Sequence, residues 1–171
     1  MKTNNSLDLH AVLAQHNKGR DPERLAMKYA KMSESAFSFF RGASPLYWLR
    51  VKEAAGRIKA PAAWICGDLH LENYGTYKGD NRLVYFDIND FDEACLAPAT
   101  LDILRLSSSV LVAQEGTGLA SKQATEIVTQ MVDAYGNALK SGKAFQIERP
   151  TAPHMIRQLM EKLQSQQRVD F

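Results

Sequence analysis

Apolar residues recur at steps of three and four along most of this 171-residue chain, and two short continuous apolar runs interrupt the pattern in the middle. Steps of three and four mark amphipathic helices, whereas a short unbroken run bounded by turn residues marks a strand. Ser6 reads as the cap of a first helix turning Leu9, Val12 and Leu13 inward, and Asp21-Pro22 opens a second carrying Leu25, Met27 and Tyr29. Ser44-Pro45 starts a third, with Leu46, Trp48 and Leu49 on its buried side. Beyond the two runs, Pro98 precedes a helix with Leu101, Leu104 and Leu111 on one stripe, and Gly116-Thr117-Gly118 makes a helix-to-helix turn. Ser121 caps a long helix with Ala124, Val128, Met131, Tyr135 and Leu139 at helical spacing, closed by Gly142. Pro153 opens a last helix bearing Ile156, Leu159, Met160 and Leu163.

The runs at 62–66 and 83–86 predict two strands, the first of them buried, with Lys78-Gly79-Asp80-Asn81 as a turn before the second. The expected fold is α+β, mainly helical, around a small β hairpin or sheet. As one domain, 1–171, it divides into a helical lead-in over 1–60, loops bearing the chemistry over 61–96, and a helical subdomain over 97–171.

Those loops read Gly67-Asp68-Leu69-His70-Leu71-Glu72-Asn73 and Phe86-Asp87-Ile88-Asn89-Asp90-Phe91-Asp92-Glu93-Ala94. Moving a phosphoryl group from a nucleotide to a hydroxyl requires a carboxylate beside the attacking oxygen and magnesium to neutralise the phosphates. Magnesium takes oxygen ligands, one or two of them carboxylates. Asp68 and Asn73, five residues apart, can face one cleft from one loop, the acid toward the acceptor and the amide toward the metal. Asp87, Asp90 and Asp92 are all candidates for the second metal ligand. His70 is a candidate catalytic residue or loop support, and Glu72 reads as a solvated loop acid. Arg41 has the planar fork that suits either a phosphate or a site acid.

Gly67-Asp68-Leu69-His70-x-x-Asn73 resembles the H-G-D-L-H-P-G-N motif of aminoglycoside and choline phosphotransferases, and residues 89–94 resemble their I-D-F-D-D-A metal segment. Leu101-Asp102-Ile103, twelve residues after Asp90, stands where those families carry the Asp of a D-L-A helix. A closer resemblance is to a group of uncharacterised bacterial proteins with a kinase-like core. Their pattern runs F-x-R-G, G-D-x-H-x-x-N-[FY]-G, F-D-x-N-D-F-D-E and D-x-x-R-L-x-x-S. This chain supplies it at 39–42, 67–75, 86–93 and 102–109.

The resemblance implies a protein-kinase-like (aminoglycoside phosphotransferase-like) catalytic lobe that uses ATP and Mg2+ to phosphorylate a hydroxyl of a small molecule. It places Asp68 at the acceptor and Asn73 and Asp90 on magnesium, with Asp87 the alternative ligand and Asp92 behind it. It gives His70 a loop-supporting role, and Asp102, near Arg105 on one helix, the role of bracing the loop. Arg41 is expected on a cofactor phosphate or paired with Asp102 or another site acid.

Two departures shape the expectation. Cys66 stands where the phosphotransferase motif has His, and no glycine-rich phosphate loop followed by a strand lysine precedes Asp68. A two-lobed kinase needs on the order of 250 residues or more. The chain is therefore expected to be an incomplete catalytic lobe, lacking the nucleotide-gripping lobe and inactive until a nucleotide-binding lobe completes it. The alternatives are a non-catalytic kinase-like fragment that binds a partner or nucleotide, and a metal-dependent phosphohydrolase using the same acids.

Composition changes this picture little. Hydrophobic residues make 45% and charged residues 23%, as in a folded domain. A net charge of +2 with no basic run gives no ground for a nucleic-acid partner. No apolar run approaches the roughly 20 residues that span a membrane, so no membrane partner is expected. Cys66 and Cys95 are the only cysteines, which predicts a cytoplasmic chain with reduced thiols. With His70 they lack the paired spacing of a zinc site, and the acidic segment has Phe91 where a calcium loop needs an oxygen.

Overall fold

The computed structural model describes residues 8–54, 57–144 and 146–165; Ser6, the expected first cap, lies outside them. Helix α1 (Leu9–His16) is capped by Asp8, whose carboxylate accepts from the Ala11 amide at 3.1 Å. Helix α2 (Pro22–Met32) starts as expected, with Asp21 accepting from the Arg24 amide and Pro22 in its first turn. Its buried residue is Met32, however, and Met27 is 67% exposed. The inward face is selected by a helix the periodicity did not separate, α3 (Ala36–Gly42), capped by Ser35. A Cβ on Gly42 would stand 2.3 Å from Met32 Cγ, so the glycine permits this close approach. Helix α4 (Ser44–Ala54) follows, and Leu13, Met32 and Ala43 form the first core cluster with Leu46 against it.

Strands are β1 (Ala62–Ile65), β2 (Tyr74–Lys78), β3 (Val84–Ile88), β4 (Cys95–Pro98) and β5 (Ile147–Glu148). All pairings are antiparallel: β1 with β4, and a second sheet in the order β2-β3-β5. Two strands were expected at β1 and β3; β2 and β4 carry Gly75 and Pro98, which weaken the sequence signal for a strand. The expectation that β1 is buried is corrected. Trp64 is 78% exposed and faces Leu96 across the β1–β4 pair, because this two-stranded ribbon buries only its Ile65 end.

Three longer helices complete the chain: α5 (Thr100–Thr117), α6 (Ser121–Ser141) and α7 (His154–Ser165). Ala120, not Ser121, occupies the cap position of α6, where its amide donates to the Gln123 side chain; Gly142 closes the helix in the left-handed conformation as expected. The buried stripe of α5 is Leu101, Arg105, Leu106, Ser109 and Val110, while Leu104 and Leu111, expected inside, are 46% and 40% exposed. Two polar residues displace two leucines from the interior because their hydrogen bonds to the loop are satisfied there. Buried polar groups are tolerated only when so paired.

Two further core clusters set the site. Cys66, Leu69 and Leu106 pack with Tyr74, Ile88 and Met131, fastening the Asp68 loop to α5 and α6. Val84, Ala152 and Met160 pack with Phe86, Ile147, Ile156 and Leu163, seating α7 against the three-stranded sheet. A full side-chain burial of this kind contributes about 1.5–3 kcal/mol. No helix among the described residues is long and apolar enough to cross a membrane.

Gly67 makes the turn out of β1 at φ +88°, and a Cβ there would lie 2.1 Å from the Glu93 carbonyl oxygen. Left-handed strain alone costs about 1–3 kcal/mol, and the backbone clash adds to it. Gly67→Ala should therefore lower stability by about 2 kcal/mol or more. An unchanged urea midpoint would show that the two loops are not packed in this way.

Candidate functional site

The turn after β1 is held from below by α5. Asp102, in the first turn of that helix, accepts from the backbone amides of Cys66 at 2.7 Å and Gly67 at 3.1 Å. The brace expected of Asp102 is thus its observed contact. Burial, followed by the Asp102 charge, pushes the Cys66 thiol up to about 12, so this sulfur is protonated at neutral pH.

Asp68 follows directly. Its Oδ1 accepts from Arg105 Nε at 2.7 Å, and the Arg105 side chain is only 2% exposed. Arg105 also donates to the Phe40 carbonyl at 2.8 Å and lies over the Phe40 ring with Cζ 3.6 Å from its centre. Burial lowers the guanidinium pKa, and the Asp68 carboxylate acts against that fall. Asp68, read from sequence as an acid facing the acceptor, is therefore tied through one oxygen to a buried cation, while its side chain still lines the cleft.

The loop continues into a single 3-10 turn over Leu71–Asn73. Buried Asn73 accepts the His70 amide on Oδ1 at 2.6 Å, donates from Nδ2 to Asp90 Oδ2 at 3.4 Å, and takes the Asn89 amide on its carbonyl at 3.0 Å. One residue thereby clasps the loop to the acidic segment. His70 Nε2 accepts from Arg41 Nε at 3.3 Å, and its Nδ1 is buried without a partner among the described residues. Burial, then the Arg41 charge, holds the imidazole below its ordinary pKa. Arg41 also pairs with Glu72. Glu72 is exposed, as expected of a solvated loop acid, and is also the ion-pair partner of Arg41, which pairs with it rather than with Asp102.

A cleft of about 360 Å³ gathers Arg41, Asp68, His70, Asn73, Asp90 and Glu93. Asp87 does not line it: on β3 it stands opposite Gly75, with Oδ1 accepting the Ile88 amide. Asp92 is also off the lining, and its amide donates to Asp90 Oδ1 at 3.3 Å. Glu93, by contrast, lines the cleft. Burial, then the charges of Asp68, Asp90 and Asp92, raises its carboxyl pKa.

No three His, Cys, Asp or Glu side chains among the described residues form a ready-made ligand cage. What the cleft offers is open: carboxylates of Asp90 and Glu93, with the Asn73 amide oxygen already serving His70. That set of hard oxygens fits magnesium, which keeps waters and phosphate oxygens in its shell. A cation there would also offset the like charges that surround Glu93.

Sequence reasoning named Arg105 only as Asp102's neighbour on one helix and gave no role to Glu93, Arg20 or Lys28, all of which touch this region. The available signal was Arg105 one turn after Asp102 on a helix whose stripe must be buried. Glu93 closes the F-D-x-N-D-F-D-E pattern at 86–93, whereas nothing in the sequence marks Arg20 or Lys28.

The structure defines the class as an α+β, mainly helical protein whose loops meet at one cleft lined by acids and bases. Residues 20–171 match the family described as an uncharacterised protein conserved in bacteria (DUF2252), and the chain belongs to that family. No curated protein and no solved structure matches it.

Breaking a buried ion pair on one side strands the other charge, at about 3–5 kcal/mol. Asp68→Ala and Arg105→Met should each destabilise by an amount near that range, and the double variant by clearly less than their sum. Additive urea-derived free energies would mean that the pair is not coupled.

Glu93 gives a pH test. The folded state holds its proton more tightly than the unfolded chain does, so protonation favours folding and this contribution is lost as pH rises through the raised carboxyl range. Glu93→Gln should be more stable than the parent at pH 7, with the gap closing below about pH 4, the ordinary glutamate range. A gap independent of pH would assign it to packing instead.

Proposed function

We propose that this chain is a kinase-like catalytic core for magnesium-dependent phosphoryl transfer from ATP to a hydroxyl of a small molecule. The observation that carries the reading is the shared cleft of Asp68, Asn73 and Asp90, with Asp102 bracing the turn before Asp68. Motif order along the chain supports the same reading. Magnesium, when bound, neutralises charge on the phosphates. Asp90 and Glu93 supply its carboxylates, and Asn73 sets their distance from the Asp68 loop. Asp68 accepts the acceptor's proton on the oxygen that Arg105 does not engage, and Arg105 keeps the carboxylate from rotating. His70, neutral and bonded to Arg41, supports the loop.

One observation favours a second reading, a nucleotide binder without catalysis: the ion pair that occupies Asp68 Oδ1. Calorimetry with ATP and magnesium, together with phosphate transfer to a panel of small hydroxyl compounds, separates the two. Transfer predicts magnesium-dependent ATP binding weakened about tenfold by Asp90→Asn, and turnover lowered about 10²–10⁴-fold by Asp68→Asn, the usual worth of a general base. ATP binding with no transfer to any acceptor leaves the binder. Phosphate release from a simple ester without ATP points to a hydrolase, and no response to magnesium or ATP overturns both nucleotide readings.

A further inference from the structure

The same cleft has a basic side, built where the helical lead-in turns. Arg20 lies in the connection between α1 and α2, and Lys28 and Lys31 lie on α2; all three line the cleft that holds Asp68, Asn73 and Asp90. Lys31 is committed to Glu34 at 2.6 Å. Among the described residues no carboxylate pairs with Arg20 or Lys28.

Their position is built rather than incidental. Asn17, 1% exposed, donates its side-chain amide to the Tyr29 hydroxyl at 3.0 Å and accepts from Lys28 Nζ at 3.4 Å, while its carbonyl receives the Arg20 amide at 3.2 Å. A buried asparagine thus holds the Lys28 ammonium and the Arg20 backbone at one corner of the cleft. Burial lowers the Lys28 pKa, and the Arg20 charge lowers it further; His16 beside them is lowered by burial and by both cations. Two crowded, uncompensated cations on a cleft are arranged for an anion with several oxygens.

A second, larger groove continues from this corner. Its volume is about 910 Å³, Arg20 and Glu93 line it as well as the cleft, and Val12, Trp48 and Leu49 contribute apolar surface. Small-molecule sites fall in the range of about 300–1,000 Å³ and combine apolar walls with a few placed charges. The occupant that fits both parts has a polyanionic end and a flat apolar end.

We propose that Arg20 and Lys28 hold the phosphates of a nucleotide whose base lies along the Trp48 groove, so that the helical lead-in does the gripping that a glycine-rich loop and strand lysine do in kinases. The proposal deepens the phosphoryl-transfer reading and rests on it for the identity of the ligand. No covalent step is involved.

The test uses a Trp64→Phe reference protein, leaving Trp48 as the only tryptophan, in buffer containing magnesium. Tripolyphosphate and ATP should both raise its melting temperature, and ATP alone should quench Trp48 fluorescence. Arg20→Ala with Lys28→Gln should weaken both ligands at least tenfold while the unliganded protein still melts cooperatively, the removed repulsion offsetting the lost Lys28–Asn17 bond. Binding unchanged in that variant overturns the proposal even if phosphoryl transfer is real. So does tripolyphosphate binding without any ATP effect on Trp48, which reduces the corner to a phosphate site. No binding of either ligand at millimolar concentration overturns it as well. Binding and quenching as expected, with no transfer to any acceptor, uphold the nucleotide site and reject the transferase.

Discussion

The guanidinium of Arg105 is the group on which the arrangement depends. Buried on α5, it joins the Asp68 carboxylate to the Phe40 carbonyl and stacks on the Phe40 ring, so three separate stretches of chain meet at one cation. A charge this deep is tolerated only when its partners satisfy it. The Asp68 loop therefore cannot leave α5 without stranding it, and neither can α3. Asp102, one turn earlier on the same helix, holds the backbone of that loop by two amides. A single helix thus fixes both the main chain and the side chain at the position where chemistry is proposed.

The acids and bases around the cleft come from different parts of the chain and are balanced only there. Asp68 and Arg105 neutralise each other, as do Arg41 and Glu72. What remains is an acidic group at Asp90 and Glu93 and a basic group at Arg20 and Lys28, each repelling its own kind. A phosphate chain with a divalent cation has the complementary pattern, with negative oxygens for the cations and a positive ion for the carboxylates. The charge distribution argues for that ligand class more strongly than any single residue does.

Much of the helical framework was legible because caps and periodicity are local. Asp21-Pro22, Gly118 and Gly142 mark boundaries through backbone preferences that need no tertiary partner. The loop and acidic segment were legible as well, since their residue types and spacing are chemical rather than structural. Burial was less so. Leu104 and Leu111 have the character of core residues but face outward, and Trp64 stands on an open ribbon, because the inside of an element is decided by what packs on it. Short α3 escaped notice for the same reason: seven residues carry too few turns for a period to show.

By itself the sequence determined where most of the helices form, that α5 and α6 stop at glycines, and that Asp68, Asn73 and Asp90 belong to one chemical neighbourhood, since these follow from dihedral preference and short spacing. Only the tertiary structure decided that Asp87 stays outside, that Glu93 enters, that Asp68 shares its charge with Arg105 37 residues away, and that Arg20 and Lys28 face the acids. Such contacts join residues far apart in the chain. Their existence depends on how helices and strands pack, which no local pattern encodes.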